Sequence, residues 1–337
     1  MNLLVICKAS TQIGFGHLIR SRTFVENAIE GNMNLDITLC IIGDSSLKLL
    51  LKNPAITFLF YEDENQILLT KSYDAIIFDT INFNKSVFDK IRFNAKKIIS
   101  LSPVFNLMPF VDICFNRTQY WAEDIEKLTL KKYGGFEYAL IQRNCNRIHS
   151  IIYKYGLEKR YFNIAISMGG GDAANKTLEV IKQIKNIIEP FTFWIMLGEG
   201  YSHSFDEIVN EIRKVKKHEI ILAKTNHSMW NVLSNTSLLI TTSGITSYEA
   251  AYAGLPTITF YDYDNQWFLL KELVDTKLTI NGGKFSDNSI NNLRNILTDL
   301  YHDRSVLYDM HKRSKKQFDN EAANRIINII KEEVFKT

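Results

Sequence analysis

The sequence predicts an α/β protein of two domains, each built on a parallel sheet. Short apolar runs rich in β-branched residues alternate with longer amphipathic segments from the first residue to about position 285, the pattern of successive βα units. The 337 residues exceed one ordinary core and match two of about 150 each. A mixed, charged stretch, "HSIIYKYGLEKRYFN" at 149–163, separates two sets of apolar runs of similar size.

In order along the chain, strands are expected at 3–7, 37–42, 56–61, 75–78, 97–101 and 111–115 in the first half. In the second half they are expected at 162–167, 191–196, 220–223, 238–242, 257–260 and 278–280. Nearly continuous apolar strands of this kind are covered by helices on both faces. The expected domains are residues 1–155 and 156–318, closed by a helix over 319–337. In that last segment Ala323, Ile326, Ile327, Ile330 and Val334 recur at helical spacing, so the stripe must lie against one of the two domains.

Composition removes several function classes. Hydrophobic residues make up 46% and charged residues 23%, ordinary for a globular chain, and aromatics reach 12%. A net charge of +3 from 40 basic and 37 acidic residues, with no long basic block, points away from a nucleic-acid partner. Cys7, Cys40, Cys114 and Cys145 form no C-x-x-C pair and mostly sit in apolar runs, which reads as core packing in a reducing compartment. The apolar run before Lys8 is shorter than a signal-peptide core, and no run is long enough to span a bilayer. A cytoplasmic protein is expected, of open oligomeric state.

Three segments carry candidate chemistry. In "STQIGFGHLIR" (10–20), a strand delivers the chain to Gly14 and Gly16, and His17 opens a helix at the carboxyl edge of the sheet, where open α/β folds bind ligands. The glycines alone are equally explained by a tight turn; a histidine directly after them, a side chain suited to acid–base chemistry, favours a site. "SMGGGDAANKT" (167–177) repeats the arrangement with Gly169 and Gly170, whose amides can meet an anion, though a turn needing positive φ would also want glycine. "TTSGITSYEAAYAGLPTITFYDYDNQ" (241–266) places Ser243, Gly244, Ile245 and Thr246 at a helix N-terminus, a phosphate seat. Glu249, one turn on, can accept from a ribose diol, and Asn265 and Gln266 can bond sugar hydroxyls. Thr246 or Ser247 would equally serve as an ordinary N-cap. Asp262 and Asp264 form a D-x-D, but no further acidic cluster accompanies them and a helix terminus can neutralise phosphate without an ion. Neither a metal nor another cofactor is expected.

Taken in order, "STQIGFGHLIR", "GGFEYALI" (134–141), "ISMGGGDAANKT" and "TTSGITSYEAAYAGLP" followed by "DNQ" resemble the UDP-sugar hydrolases of the pseudaminic-acid pathway, more distant relatives of MurG-like glycosyltransferases of GT-B fold. The resemblance covers residues 3 to 275 or so. It implies two Rossmann-like domains with a cleft between them, the nucleotide held mainly by the second. It further implies metal-free hydrolysis of a UDP-linked diacetamido-trideoxy sugar, with His17 as the catalytic histidine and Gly16 in the loop under the diphosphate. The same match puts Ser243 to Thr246 at the helix-end seat, Glu249 on the ribose, and Asn265 and Gln266 on the sugar. The chain departs from the family at Cys7 and Lys8, where an arginine and an aspartate are usual, and at 80–82, which lacks a tyrosine that members can carry.

Cleavage of a nucleotide sugar needs a stabilised diphosphate leaving group and, for hydrolysis, a base that activates water at the anomeric carbon. The expected activity is a metal-independent, inverting hydrolase acting on a UDP-linked sugar. Two alternatives share the donor site: a glycosyltransferase taking a UDP- or CMP-sugar, with His17 deprotonating an acceptor hydroxyl, and a non-catalytic nucleotide-sugar-binding protein.

Overall fold

The computed structural model describes all residues except 11–12, 32–33, 45–46, 48–52, 54, 161, 226–228 and 337, and all their side chains except that of Asn265. The chain divides into two compact units, Met1–Gln142 with Asp319–Thr337, and Arg143–Phe318.

The first unit contains β1 (Asn2–Ala9), α1 (Gly16–Gly31), β2 (Asp36–Gly43), β3 (Thr57–Tyr61), β4 (Tyr73–Asp79), α2 (Lys85–Ile91), β5 (Ala95–Ser100), β6 (Ile113–Asn116), α3 (Glu123–Glu126) and β7 (Lys131–Gly134). Its strands form a sheet in the order β3-β2-β1-β4-β5-β6-β7, every pairing parallel. Alternate residues of β1 explain its unbroken apolar run. Leu3, Val5 and Cys7 enter the core on one face, while Leu4 and Ile6 enter a second core on the other.

The second unit continues with α4 (Ser150–Glu158), β8 (Asn163–Ser167), α5 (Lys176–Ile184), β9 (Thr192–Leu197), α6 (Phe205–Ile212), β10 (Glu219–Lys224), α7 (Met229–Leu233), β11 (Leu238–Thr242), α8 (Ile245–Ala253), β12 (Thr257–Tyr261), α9 (Asp264–Asp275), β13 (Thr279–Lys284), α10 (Asp287–His302) and α11 (Ser305–Ser314). Its sheet runs β10-β9-β8-β11-β12-β13, again entirely parallel. Counted within the unit this is strand order 3-2-1-4-5-6, the Rossmann arrangement, and the first sheet follows the same order with one strand added.

The chain then ends in α12 (Ala322–Phe335), whose Ala323, Ile326, Ile327 and Ile330 join the core of the first unit beside Phe24 and Ala28. Residues 143–155 belong to the second unit. There α4 packs on α11, and the Tyr153 hydroxyl donates to the Ser237 carbonyl at 2.7 Å. All four cysteines are buried and reduced. No helix among the described residues is long and apolar enough to cross a membrane.

Candidate functional site

In each unit the strand order reverses between the first strand and its fourth, and crevices at such switch points, outside the carboxyl ends of the strands, are where open sheets bind ligands. The candidate residues gather there. His17 follows β1, and the residue it meets closes β4; Gly169 follows β8, and Ser243 follows β11.

At the first switch point the chain leaves β1, and Ser10 pairs with Gly14 in an isolated bridge, Gly14 donating to the Ser10 carbonyl at 2.8 Å. Gly14 has φ +86°, so the turn itself requires glycine. Gly16, the first residue of α1, has no such need: its φ is not positive, and a Cβ there would meet no atom within 4 Å. Neither backbone nor packing explains why it is glycine, whereas a ligand drawn close to the backbone would.

His17 sits in the first turn of α1, its side chain 16% exposed. Its Nδ1 lies 2.7 Å from Oδ1 of Asp79, the last residue of β4, which is fully buried. The carboxylate also accepts from Arg20 Nε at 2.9 Å and from the Ser21 hydroxyl at 3.0 Å, and Arg20 Nη2 both pairs with it and donates to Ser102 Oγ at 2.7 Å. Burial alone would raise the Asp79 pKa. The charges and hydrogen bonds of Arg20 and His17 outweigh it and hold the carboxyl well below the usual carboxylate range. An ionised carboxylate only accepts, so the Nδ1 of His17 carries the proton. The approach of Arg20 Nη2 to that same nitrogen, at 3.0 Å, then sets two donors side by side and is a contact, not a hydrogen bond. In the neutral ring Nε2 then carries the lone pair. Chemically, a neutral imidazole held this way can act as a base of fixed tautomer, oriented by a carboxylate that is itself fixed by a guanidinium.

At the second switch point the glycine loop and the α8 terminus are built differently. Gly169 has φ +102°, and open space lies where its Cβ would be. The N-terminus of α5 is already filled: both oxygens of Asp172 accept backbone amides, from Lys176 at 2.8 Å and from Thr177 at 2.9 Å. Any anion at this loop must therefore meet amides ahead of the helix, at Gly169 and Gly170. The α8 terminus is open by contrast. Its N-cap is Gly244, no side chain caps it, and a Cβ on Gly244 would meet nothing within 4 Å although its φ of −92° suits any residue. Ser247, a possible cap by sequence, donates back to the Gly244 carbonyl at 2.8 Å. Gly244 thus parallels Gly16, a glycine that the fold does not need.

Ser243 is tied to the start of α9, where Gln266 Oε1 accepts from its hydroxyl at 3.3 Å and from the Asp262 amide at 2.8 Å. That leaves the Gln266 amide nitrogen as the group to offer a ligand. The backbone of Asn265 lies in the first turn of α9; its side chain falls outside the described set. Ile245 and Thr246 form the first turn of α8, with Ile245 facing the core. Glu249 is fully buried, next to Cys145, whose thiol donates to its carbonyl at 3.3 Å and is pushed up in pKa by burial and by the Glu249 charge. Of the D-x-D, Asp262 pairs with Lys176 and Asp264 with Lys284 at 3.0 Å.

Asp79, Arg20, Ser21 and Ser102 belong to the site and were not among the residues expected from sequence. The signal for Asp79 was present: a carboxylate closing the apolar strand "YDAIIFD". Buried charge of this kind is rare without a partner, and here the partner is the candidate base. On the same edge Lys8 pairs with Glu64 and lies 5.7 Å from the centre of the Phe83 ring, at the carboxyl end of β1.

No protein-family model matches the chain. A curated relative, an uncharacterized protein of Methanocaldococcus jannaschii, is 24% identical over 279 residues, 79% of this chain, and the chain spans only 57% of that protein's length. Among solved structures, MurG of Acinetobacter baumannii superposes with a TM-score of 0.67 at 14% identity, covering 98% of this chain and 100% of the other. The HepE protein of Anabaena in complex with UDP-glucose gives 0.63 at 14% identity, covering 99% and 100%. A putative UDP-N-acetylglucosamine 2-epimerase of Listeria monocytogenes gives 0.61 at 14% identity, covering 100% and 98%. Together with the two sheet orders, these likenesses establish the fold as GT-B-like, two Rossmann-type parallel-sheet units.

Proposed function

We propose that the protein cleaves a nucleotide sugar, hydrolysing a UDP-linked diacetamido-trideoxy sugar to UDP and the free sugar in the cytoplasmic assembly of a pseudaminic-type acid. The observation that carries this reading is the Asp79-oriented His17 at the β1/β4 switch point. Its Nε2 takes a proton from water as the oxygen attacks the anomeric carbon, inverting it, and Asp79 stabilises the imidazolium that forms. The departing diphosphate is met by the open α8 N-terminus around Ser243, Gly244, Ile245 and Thr246, with the Gly169 and Gly170 amides beside it. Gly14 and Gly16 let the substrate approach the α1 terminus. Gln266 and Asn265 serve the sugar. Glu249 is the ribose partner in this reading, and its buried carboxylate must turn outward to meet a diol. The solved structures with UDP or UDP-glucose bound to a like fold support a nucleotide-sugar substrate.

The test is incubation with candidate UDP-sugars in ¹⁸O-labelled water containing excess EDTA, read by NMR and mass spectrometry. Turnover is expected to survive chelation, because helix termini and amides carry the charge that a cation would otherwise neutralise. Label is expected in the sugar hydroxyl. Label in the UDP phosphate would mean attack at phosphorus and would overturn the mechanism.

The unexplained glycines give a second expected result. In Gly244→Ala the added methyl enters the space assigned to the diphosphate, so UDP affinity should fall at least ~10-fold while stability changes by no more than about 1 kcal/mol. Gly16→Ala should be neutral or stabilising by up to ~1 kcal/mol, since alanine suits a helix better, yet turnover should drop. Calorimetry and thermal melts separate the two effects; unaltered UDP binding in a folded Gly244→Ala protein removes α8 from the seat.

A second reading is transfer to an acceptor hydroxyl, which the same donor site would serve and which fits the departure from the hydrolase pattern at Cys7 and Lys8. The same His17 would then deprotonate the acceptor. Label from water entering the sugar without any added acceptor decides for hydrolysis.

A further inference from the structure

The glycine loop of the second unit is held in an uncommon backbone shape by groups from the next βα connection. Gly169 at φ +102°, Asp172 at φ 42° and Asn175 at φ 52° all lie in the left-handed region, which is uncommon for any residue with a side chain and least so for Asp and Asn. Such a segment keeps its shape only when its surroundings over-determine it. Here the loop after β9 does so. Gly200 donates to the Gly170 carbonyl at 3.0 Å, the ring of His203 bonds the Asp172 carbonyl through Nε2 at 2.9 Å, and the Tyr201 hydroxyl donates to Asn175 Oδ1 at 2.7 Å. The two loops also touch directly: a Cβ on Gly198 would stand 2.3 Å from the Gly170 carbonyl oxygen.

We infer that Tyr201 and His203 are positioning residues, which hold the Gly169–Gly170 amides in the orientation that receives the diphosphate. The inference rests on the nucleotide-sugar reading above and adds to it residues that neither motif nor comparison assigns. A carbonyl only accepts, so His203 Nε2 must carry a proton, a condition met by both the charged ring and one neutral tautomer. The Tyr201 phenol, pushed up to about 12 by burial and by the charges of Asp172 and Glu207, stays protonated and remains a donor. His203 acts on the Asp172 carbonyl and Tyr201 on the Asn175 side chain. The cap that Asp172 places on α5 fixes the loop's other end.

The test compares His203→Ala, His203→Gln and Tyr201→Phe in the full chain, reading amide hydrogen exchange over residues 169–175 and UDP affinity by calorimetry. Loss of one part-buried hydrogen bond should speed exchange in that segment and weaken UDP binding by about 10-fold in His203→Ala and Tyr201→Phe. His203→Gln, which keeps an N–H donor, should restore both. A purely structural role would lower the melting temperature without rescue by glutamine. Unchanged exchange in His203→Ala overturns the clamp whatever the nucleotide does. Faster exchange with UDP affinity unchanged overturns the assignment of the loop to the diphosphate. A wild-type protein with intact exchange protection that binds no UDP overturns the nucleotide reading, and this inference with it.

Discussion

Asp79→Asn is expected to lower turnover by about 10⁴-fold and to destabilise the first unit by about 3–5 kcal/mol. The two effects have separate causes. Turnover falls because a neutral amide no longer dictates which ring nitrogen of His17 carries the proton, so the lone pair is no longer held at Nε2. Stability falls because Arg20, its side chain only 8% exposed, loses the charge that compensates its burial. Chemical denaturation gives the second, and activity normalised to the folded fraction gives the first. The acid limb of stability should change as well. A depressed carboxyl pKa contributes stability that is complete above the ordinary carboxylate range near ~4 and is lost as pH falls towards the folded value. The wild type should therefore lose stability below about pH 4 through Asp79, and Asp79→Asn should lack that component. A variant with full turnover would show that His17 needs no orientation.

His17→Asn should lose ~10²–10⁴-fold in turnover, the usual contribution of a general base, while UDP affinity and thermal stability stay close to wild type. A base acts in the transition state, and the groups assigned to the diphosphate lie on α8 and the glycine loop. Comparing the two variants is informative: His17→Asn keeps the Arg20–Asp79 pair, so it should retain the Arg20 share of the acid-side stability that Asp79→Asn loses. Full turnover in folded His17→Asn would remove the histidine from the chemistry.

Much of the architecture could be read from residue patterns because parallel strands covered on both faces are continuous apolar runs, as β1 and β8 show. The strand β7 could not: "KKYG" is four residues at the sheet edge, opening on two lysines. At the other edge of the problem, β13 continues through Gly282 and Gly283 where glycine normally ends a strand; at Gly282 a Cβ would stand 2.8 Å from the Phe260 ring. For the candidate site, sequence singled out His17 and the α8 terminus, since each follows a strand directly. It could not pair His17 with Asp79, 62 residues away, because that proximity is created only when β4 is laid beside β1. Nor could it tell which helix N-termini are open. Asp172 and Ser247 are both plausible caps by position, yet the first fills the α5 terminus and the second turns back on a carbonyl.

The return of α12 to the first core has a consequence for how the chain is made. The helix supplies Ala323, Ile326, Ile327 and Ile330 to a core otherwise drawn from residues synthesised before Gln142, and all of the second unit is translated in between. During synthesis the second unit can complete its own core while the first still exposes the apolar surface that α12 will cover. The first unit can thus close its core only after the second has been made, and its closing contacts are among the most distant in sequence, the kind that form slowly. The segment bearing His17 would spend longer exposed to proteases and aggregation than the second unit, whose core is contiguous in sequence.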